Sequence, residues 1–287
     1  MTDQAANLRR DMNRIKKNKQ AKTISVVSGK GGVGKSNFSL NFAITLAKRH
    51  KKVLLFDLDI GMGNIDILMG VQPTQTIVEM YEKELPVYDI IESGPYSLSY
   101  IAGGSGLPEL FQMSEYKQNY FLQQLNELLV SYDYIIFDMG AGASADTIRY
   151  ILASDESVVV TTPEPTSIMD AYGMMKHIYY YNQDILLYLL VNQAQSTKEG
   201  EQTIKRLQQV TKRFLQMSIT PLGILPKDKA VSKAVLSQTP FSLLEPNAKI
   251  TRALNELAEH YETGKFESGN NGPSAFINKL IKFVKER

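Results

Sequence analysis

Four glycines, two lysines and a hydroxyl crowd into eight residues near the start of the chain: Gly29-Lys30-Gly31-Gly32-Val33-Gly34-Lys35-Ser36. The spacing fits G-x-x-x-x-G-K-[ST], preceded by an apolar, β-branched run (Thr23–Ser28) and followed by a helix-length segment. Glycines let backbone N–H groups close around phosphate oxygens without Cβ clashes, and the following helix N-terminus adds partial positive charge. Lys35 is placed to reach β- and γ-phosphates, and Ser36 to offer its hydroxyl to Mg²⁺. Gly29, Gly31, Gly32, Val33 and Gly34 supply the cradle. An acidic element, Ile135-Ile136-Phe137-Asp138-Met139-Gly140, ends an apolar strand in a carboxylate. A rigidly held Asp138 beside the phosphates is what a Mg²⁺ partner requires.

The elements that must position these groups follow from the apolar pattern. Short apolar runs mark strands at Thr23–Ser28, Lys52–Asp57, Leu98–Ala102, Tyr134–Asp138, Ser157–Thr161, Ile185–Val191 and Leu222–Leu225. Near-continuous runs such as VLLF, YIIF and SVVV suit strands buried on both faces, as in a parallel sheet. Helix-length segments lie between them at Lys35–Lys48, Glu115–Val130, Ser167–Tyr181 and Thr197–Phe214. This alternation predicts an α/β fold: a single open, mostly parallel sheet flanked by helices. The predicted division is a basic N-terminal segment (1–22), a body (23–262), a Gly/Asn-rich linker (263–273) and a terminal amphipathic helix (274–287).

Composition narrows the chemistry. Of 287 residues, 43% are hydrophobic and 22% charged, enough for a sizeable core. There is no Cys, which excludes disulfides, thiolate metal sites and Cys-ligated iron–sulfur clusters. His50, His177 and His260 show no metal-ligand spacing. No apolar run approaches the ~20 residues of a membrane span, and no secretory signal is evident, so a cytoplasmic chain is expected. The net charge of +2 is uneven: the first 22 residues carry +5, the last 14 carry +3, and the body carries −6. An acidic body gives no reason to expect nucleic acid as a partner, while basic tails attract polyanionic surfaces.

Lys30 makes the loop distinctive. The string K-G-G-V-G-K-S resembles the deviant phosphate loop of the MinD/ParA family of ATPases, over roughly residues 22–260. The resemblance implies the MinD-like P-loop fold, ATP and Mg²⁺ as cofactors, and an ATP-bound homodimer in which Lys30 reaches the partner's nucleotide. A cation there would favour charge developing on the γ-phosphate. It also implies that Asp57-Leu58-Asp59-Ile60-Gly61 is a switch, with Asp59 orienting the attacking water and Asp57 close to Mg²⁺. Asn192, and the loop containing Pro226 and Asp228, are then the expected contacts of adenine. No N/T-K-x-D string stands at either place, which favours adenine over guanine. Glu164 matches a family position near the dimer interface.

The tails extend the resemblance. In Ser274–Arg287, Phe276, Ile277, Leu280, Ile281, Phe283 and Val284 fill an arc of roughly 160° on a helical wheel, opposite Lys279, Lys282 and Lys285. Such a helix suits the interface of an anionic membrane, or a groove on its own core. MinD-like proteins carry a targeting helix here, which implies reversible attachment to the inner face of the cell membrane. The N-terminal string Asp3-Gln4-Ala5 followed by Leu8-Arg9, ahead of the KGGVGKS loop, is similar to the flagellar branch of the family, FlhG (also called YlxH or FleN). That likeness implies that Gln4 and Arg9 engage the signal-recognition-type GTPase FlhF, that flagellar switch-complex proteins are further partners, and that the output is flagellar number and position. Division-site placement by a MinD-type ATPase, and a flagellar assembly scaffold with incidental hydrolysis, stay open as alternatives.

Overall fold

The computed structural model describes residues 20–59, 63–104, 115–183, 185–264 and 276–280. Eight strands form one sheet: β1 (Lys22–Val27), β2 (Val53–Leu58), β3 (Glu92–Ser93), β4 (Ser99–Ile101), β5 (Tyr134–Met139), β6 (Glu156–Thr161), β7 (Leu186–Ala194) and β8 (Thr220–Pro226). Their spatial order is β3-β4-β2-β5-β1-β6-β7-β8. Every pairing is parallel except β3 with β4. The seven predicted strands are all present, shifted at their ends by one to three residues. The short antiparallel β3 has no counterpart in the apolar pattern, because two polar residues at an edge bury nothing that a periodicity could register.

Helices cover both faces. In chain order they are α1 (Lys35–Lys48), α2 (Ile65–Met69), α3 (Ile77–Lys83), α4 (Glu115–Leu129), α5 (Ala145–Ala153), α6 (Pro165–Tyr181), α7 (Thr197–Leu215), α8 (Lys229–Leu236), α9 (Phe241–Leu244) and α10 (Lys249–Glu262). The period-2 alternation of the strands assigns side chains to two cores. Leu54, Phe56, Ile135, Phe137, Leu187 and Leu189 face one core, with α4, α6 and α7. Val53, Leu55, Ile136, Tyr188 and Leu190 face the other, with α1 and α10. Both faces of the central strands are thus apolar, so their sequences run nearly continuously hydrophobic.

A buried acid opens β6, at the N-terminal end of the strand. Glu156 is fully buried on β6; its Oε1 lies 2.5 Å from Lys22 Nζ, and Tyr261 donates to its Oε2 at 2.5 Å. The pairing ties the first residue of β1 to α10.

Residues 276–280 are helical, and Phe276, Ile277 and Leu280 are buried in the first core. Phe276 stacks on Phe137 of β5, ring centroids 5.4 Å apart and planes within 10°. The apolar residues of the described segment 276–280 are therefore docked on the body. Among the described residues no helix is long and apolar enough to cross a membrane.

Candidate nucleotide site

Strand order reverses around β1, and the loop leaving its C-terminal end sits where open α/β sheets bind ligands. Gly32 and Gly34 hold φ of +79° and +88°, a left-handed backbone that side chains resist. At Gly34 a Cβ would also stand 2.4 Å from Asn192 Nδ2, and at Gly29 one would stand 2.1 Å from the Asp170 carbonyl oxygen. The loop is thus wedged between β7 and α6. Asn192 Nδ2 donates to the Val33 carbonyl at 2.8 Å, and Gln193 Nε2 to the Gly32 carbonyl at 3.2 Å. Gln193 itself has φ +57°, next to a register shift between β7 and β8.

α1 begins at Lys35, whose ammonium is buried and donates to Asp138 Oδ1 at 3.0 Å. Ser39, one turn further along α1, donates to the same oxygen at 2.7 Å. Asp138 is fully buried, and its second oxygen, Oδ2, has no partner among the described residues. An orphaned buried carboxylate oxygen is costly, and a divalent cation is the kind of group that repays it. Ser36 Oγ lies 3.4 Å from Lys35 Nζ, within the same cluster. Lys35, Ser36 and Asp138 therefore fit a Mg²⁺-bound phosphate chain. Lys35 would exchange Asp138 for phosphate oxygens.

Asp57 pairs in register with Asp138 across β2 and β5, so two carboxylates stand side by side. Burial, and then the charge of Asp138, push the Asp57 carboxyl up to about 7. Its oxygens accept from Asp59 N at 3.0 Å and from Ile65 N at 3.5 Å. Burial also pushes Asp59 up, while the Lys35 charge pulls it down. Gly140 keeps the approach open: a Cβ there would lie 3.2 Å from Asp59 Oδ1. The three carboxylates thus share one end of the sheet with Lys35.

Lys30 does not turn into its own cradle. Its ammonium donates to Thr166 Oγ1 at 3.2 Å and lies 3.5 Å from Glu164 Oε2, and both partners stand at the start of α6. Beside the loop is a cavity of about 490 Å³ whose lining includes Gly34, Phe38, Asn192, Pro226 and Asp228. The three residues expected at adenine share this cavity, but two of them also have structural work. Asn192 braces the loop backbone, and Asp228 caps α8 through Ala230 N at 3.0 Å and holds Ile250 N at 3.3 Å.

Sequence reasoning missed Ser39 and Gln193. Ser39 was accessible, since i and i+4 share a helix face with Lys35. Gln193 was not, because its role depends on a bulge. Gln4, Arg9, Ile281, Lys282, Phe283 and Val284 lie outside the described residues, as do positions 60–62 of the switch. Lys279 falls in the described helical segment and is partly exposed.

A glycine cradle opening a helix, a buried lysine and a strand-end carboxylate define a P-loop NTPase. The chain belongs to the ParA family, whose model, described as the NUBPL iron-transfer P-loop NTPase, matches residues 19–261. It is 30% identical over 260 residues to the antiactivator FleN of Pseudomonas aeruginosa, covering 90% of this chain and 93% of that one. It is 34% identical over 280 residues to the flagellum site-determining protein YlxH of Helicobacter pylori, covering 92% and 90%. Its fold matches that of the septum site-determining protein MinD complexed with Mg-ADP from Pyrococcus horikoshii, with a TM-score of 0.67 at 22% identity, over 88% of this chain and all of that one.

Proposed function

We propose that this chain is an ATP-driven, dimerising switch that sets flagellar number and position from the inner face of the cell membrane. The observation that carries the reading is the pair of lysines: Lys35 is buried inside the cradle, while Lys30 projects from it to the start of α6. A cation on the open side of its own loop is available to a nucleotide held by a second copy. Likeness to FleN and YlxH supports the flagellar output. The iron transfer in the family model's description has no thiolate to act through here, since the chain has no Cys.

In this reading Lys35 and the loop N–H groups bind the phosphates, and Ser36 and Asp138 hold Mg²⁺, which neutralises charge on the phosphate chain. Asp59 orients water for attack, and Lys30 of one copy stabilises the charge developing on the other copy's γ-phosphate. Asn192 and the Pro226–Asp228 loop flank adenine. Dimerisation releases the terminal helix from Phe137, so that Phe276, Ile277 and Leu280 exchange the body core for the membrane interface. The N-terminal segment, through Gln4 and Arg9, engages an FlhF-type GTPase and stimulates its hydrolysis.

The test is vesicle sedimentation of the full chain with ADP or with a non-hydrolysable ATP analogue. Binding is expected with the analogue alone. Equal binding in both nucleotide states contradicts the switch.

A further inference from the structure

At the end of the molecule opposite the phosphate loop, five consecutive residues are basic: Lys48-Arg49-His50-Lys51-Lys52. They close α1 and open β2. α1 has 14 residues and is thus about 21 Å long, so this turn is well separated from the nucleotide. Beside it lies a second cavity, of about 460 Å³, whose lining includes His50, Lys51, Lys52, Ser97, Ser99 and Tyr132. The nucleotide chemistry uses none of these groups.

Three features make this more than a charged helix end. First, the negative end of α1 is already covered: Arg49 N and His50 N each donate to the helix's last turn at 3.0 Å, and Lys51 N at 3.2 Å. The cationic side chains are therefore not needed there as caps. Second, the cations are only partly neutralised. Glu262 pairs with both Arg49 and Lys51, and Asp133 spends Oδ2 on the Lys52 backbone N–H at 2.9 Å. Arg49 and Lys51 thus share one carboxylate, Lys48 Nζ donates to the Ser242 carbonyl at 3.1 Å and lies over the Tyr96 ring, and the Lys52 side chain is exposed. Third, the facing turn is strained. Tyr96 and Ser97 hold φ of +56° and +61°, a left-handed backbone on two successive non-glycine residues, whereas the left-handed His50 belongs to the cap of α1. A turn of this kind persists only where the surrounding structure holds it, so the wall of the cavity is a fixed one.

The surroundings indicate which anion. Tyr88 and Tyr96 are exposed on this end, and amphipathic rings beside basic side chains suit the headgroup layer of a bilayer. The Glu262 pairs anchor the end of α10, from which the chain continues to the terminal helix. The basic N-terminal segment also joins the body here, where Ala21 N donates to Leu129 O at 2.6 Å. We propose that this pocket binds the headgroup phosphate of an anionic lipid, and so forms a second membrane contact that sets how the body sits on the bilayer. The proposal rests on the reading of residues 274–287 as a membrane helix.

The test is the affinity of the full chain, with a non-hydrolysable ATP analogue, for phosphatidylglycerol–phosphatidylcholine vesicles. Attraction of about 1 kcal/mol per basic residue near such a surface makes Lys52→Glu roughly tenfold weaker or more at low salt, and Lys52→Gln less affected. Neither change should alter thermal stability or hydrolysis in solution. Wild-type affinity for Lys52→Glu overturns the proposal. Phe283→Glu separates the two membrane contacts. If it abolishes binding while Lys52→Glu does not, the pocket fails and the helix stands. If Lys52→Glu loses binding while Phe283→Glu does not, the helix reading fails and the pocket stands. Glycerol phosphate titrated in solution supplies the third arm. Tight binding of the free ester, lost in Lys52→Glu, overturns the assignment to lipid.

Discussion

Asp57 and Asp138 stand side by side in a buried site with one buried lysine, paired with Asp138, for two carboxylates, and their chemistry follows from that imbalance. Asp57 titrates near 7, well above its unfolded value of 3.8. A carboxyl raised on folding contributes stability fully when protonated, and loses it as pH rises from about 4 through 7. The nucleotide-free chain should therefore become less stable over that window. Asp57→Asn should flatten the slope and stabilise the free chain at pH 7.5 by roughly 2–4 kcal/mol, while weakening Mg²⁺-dependent nucleotide binding. Thermal melts across pH 4 to 8 check both. Lys35→Ala has the opposite effect: it strands Asp138 without its cation and should cost about 3 kcal/mol, as well as abolishing nucleotide binding. Gly34→Ala tests the cradle directly, because its new Cβ meets Asn192 on a left-handed backbone; nucleotide affinity measured by calorimetry should fall at least tenfold. At this scale the sequence was most informative where spacing is rigid. The loop and Asp138 could be located because each needs one strand and one turn. The brace from Gln193 could not, because it rests on a register shift between two strands far from the loop in sequence.

At the scale of elements, apolar patterning foretold the central strands because both their faces are buried. It failed where burial is unusual. Glu156 fills a strand position with a charge, so the predicted strand began at Ser157 rather than at Glu156, the residue that Lys22 neutralises and Tyr261 hydrogen-bonds. The helical segment 276–280 was legible as amphipathic, but the wheel could not say which apolar surface it meets, since a core groove and a bilayer attract the same face. The stack of Phe276 on Phe137 gives that choice a handle. Phe137→Leu keeps the strand position apolar and leaves the terminal helix unchanged, but loosens the dock. It should cost about 1–2 kcal/mol of stability and raise vesicle binding without nucleotide. Sedimentation with ADP, compared with wild type, reports the shift. Vesicle binding no higher than that of wild type would mean that docking does not limit release.

For the molecule as a whole, the sheet separates three kinds of contact. Nucleotide chemistry lies at the C-terminal ends of the strands, Lys30 faces outward beside it, and the basic turn at 48–52 lies at the opposite end. Such a layout lets a face-to-face pair close over nucleotide while the basic turn of each copy stays uncovered. Deleting residues 1–19 should leave hydrolysis of ATP intact and remove stimulation of the partner GTPase, as measured by phosphate release. The most direct test of the central claim is the mass in solution at saturating non-hydrolysable ATP analogue, measured by light scattering for the wild type and for Lys30→Ala. Wild type should run as a pair and Lys30→Ala as single copies. Single wild-type copies under those conditions would contradict the account.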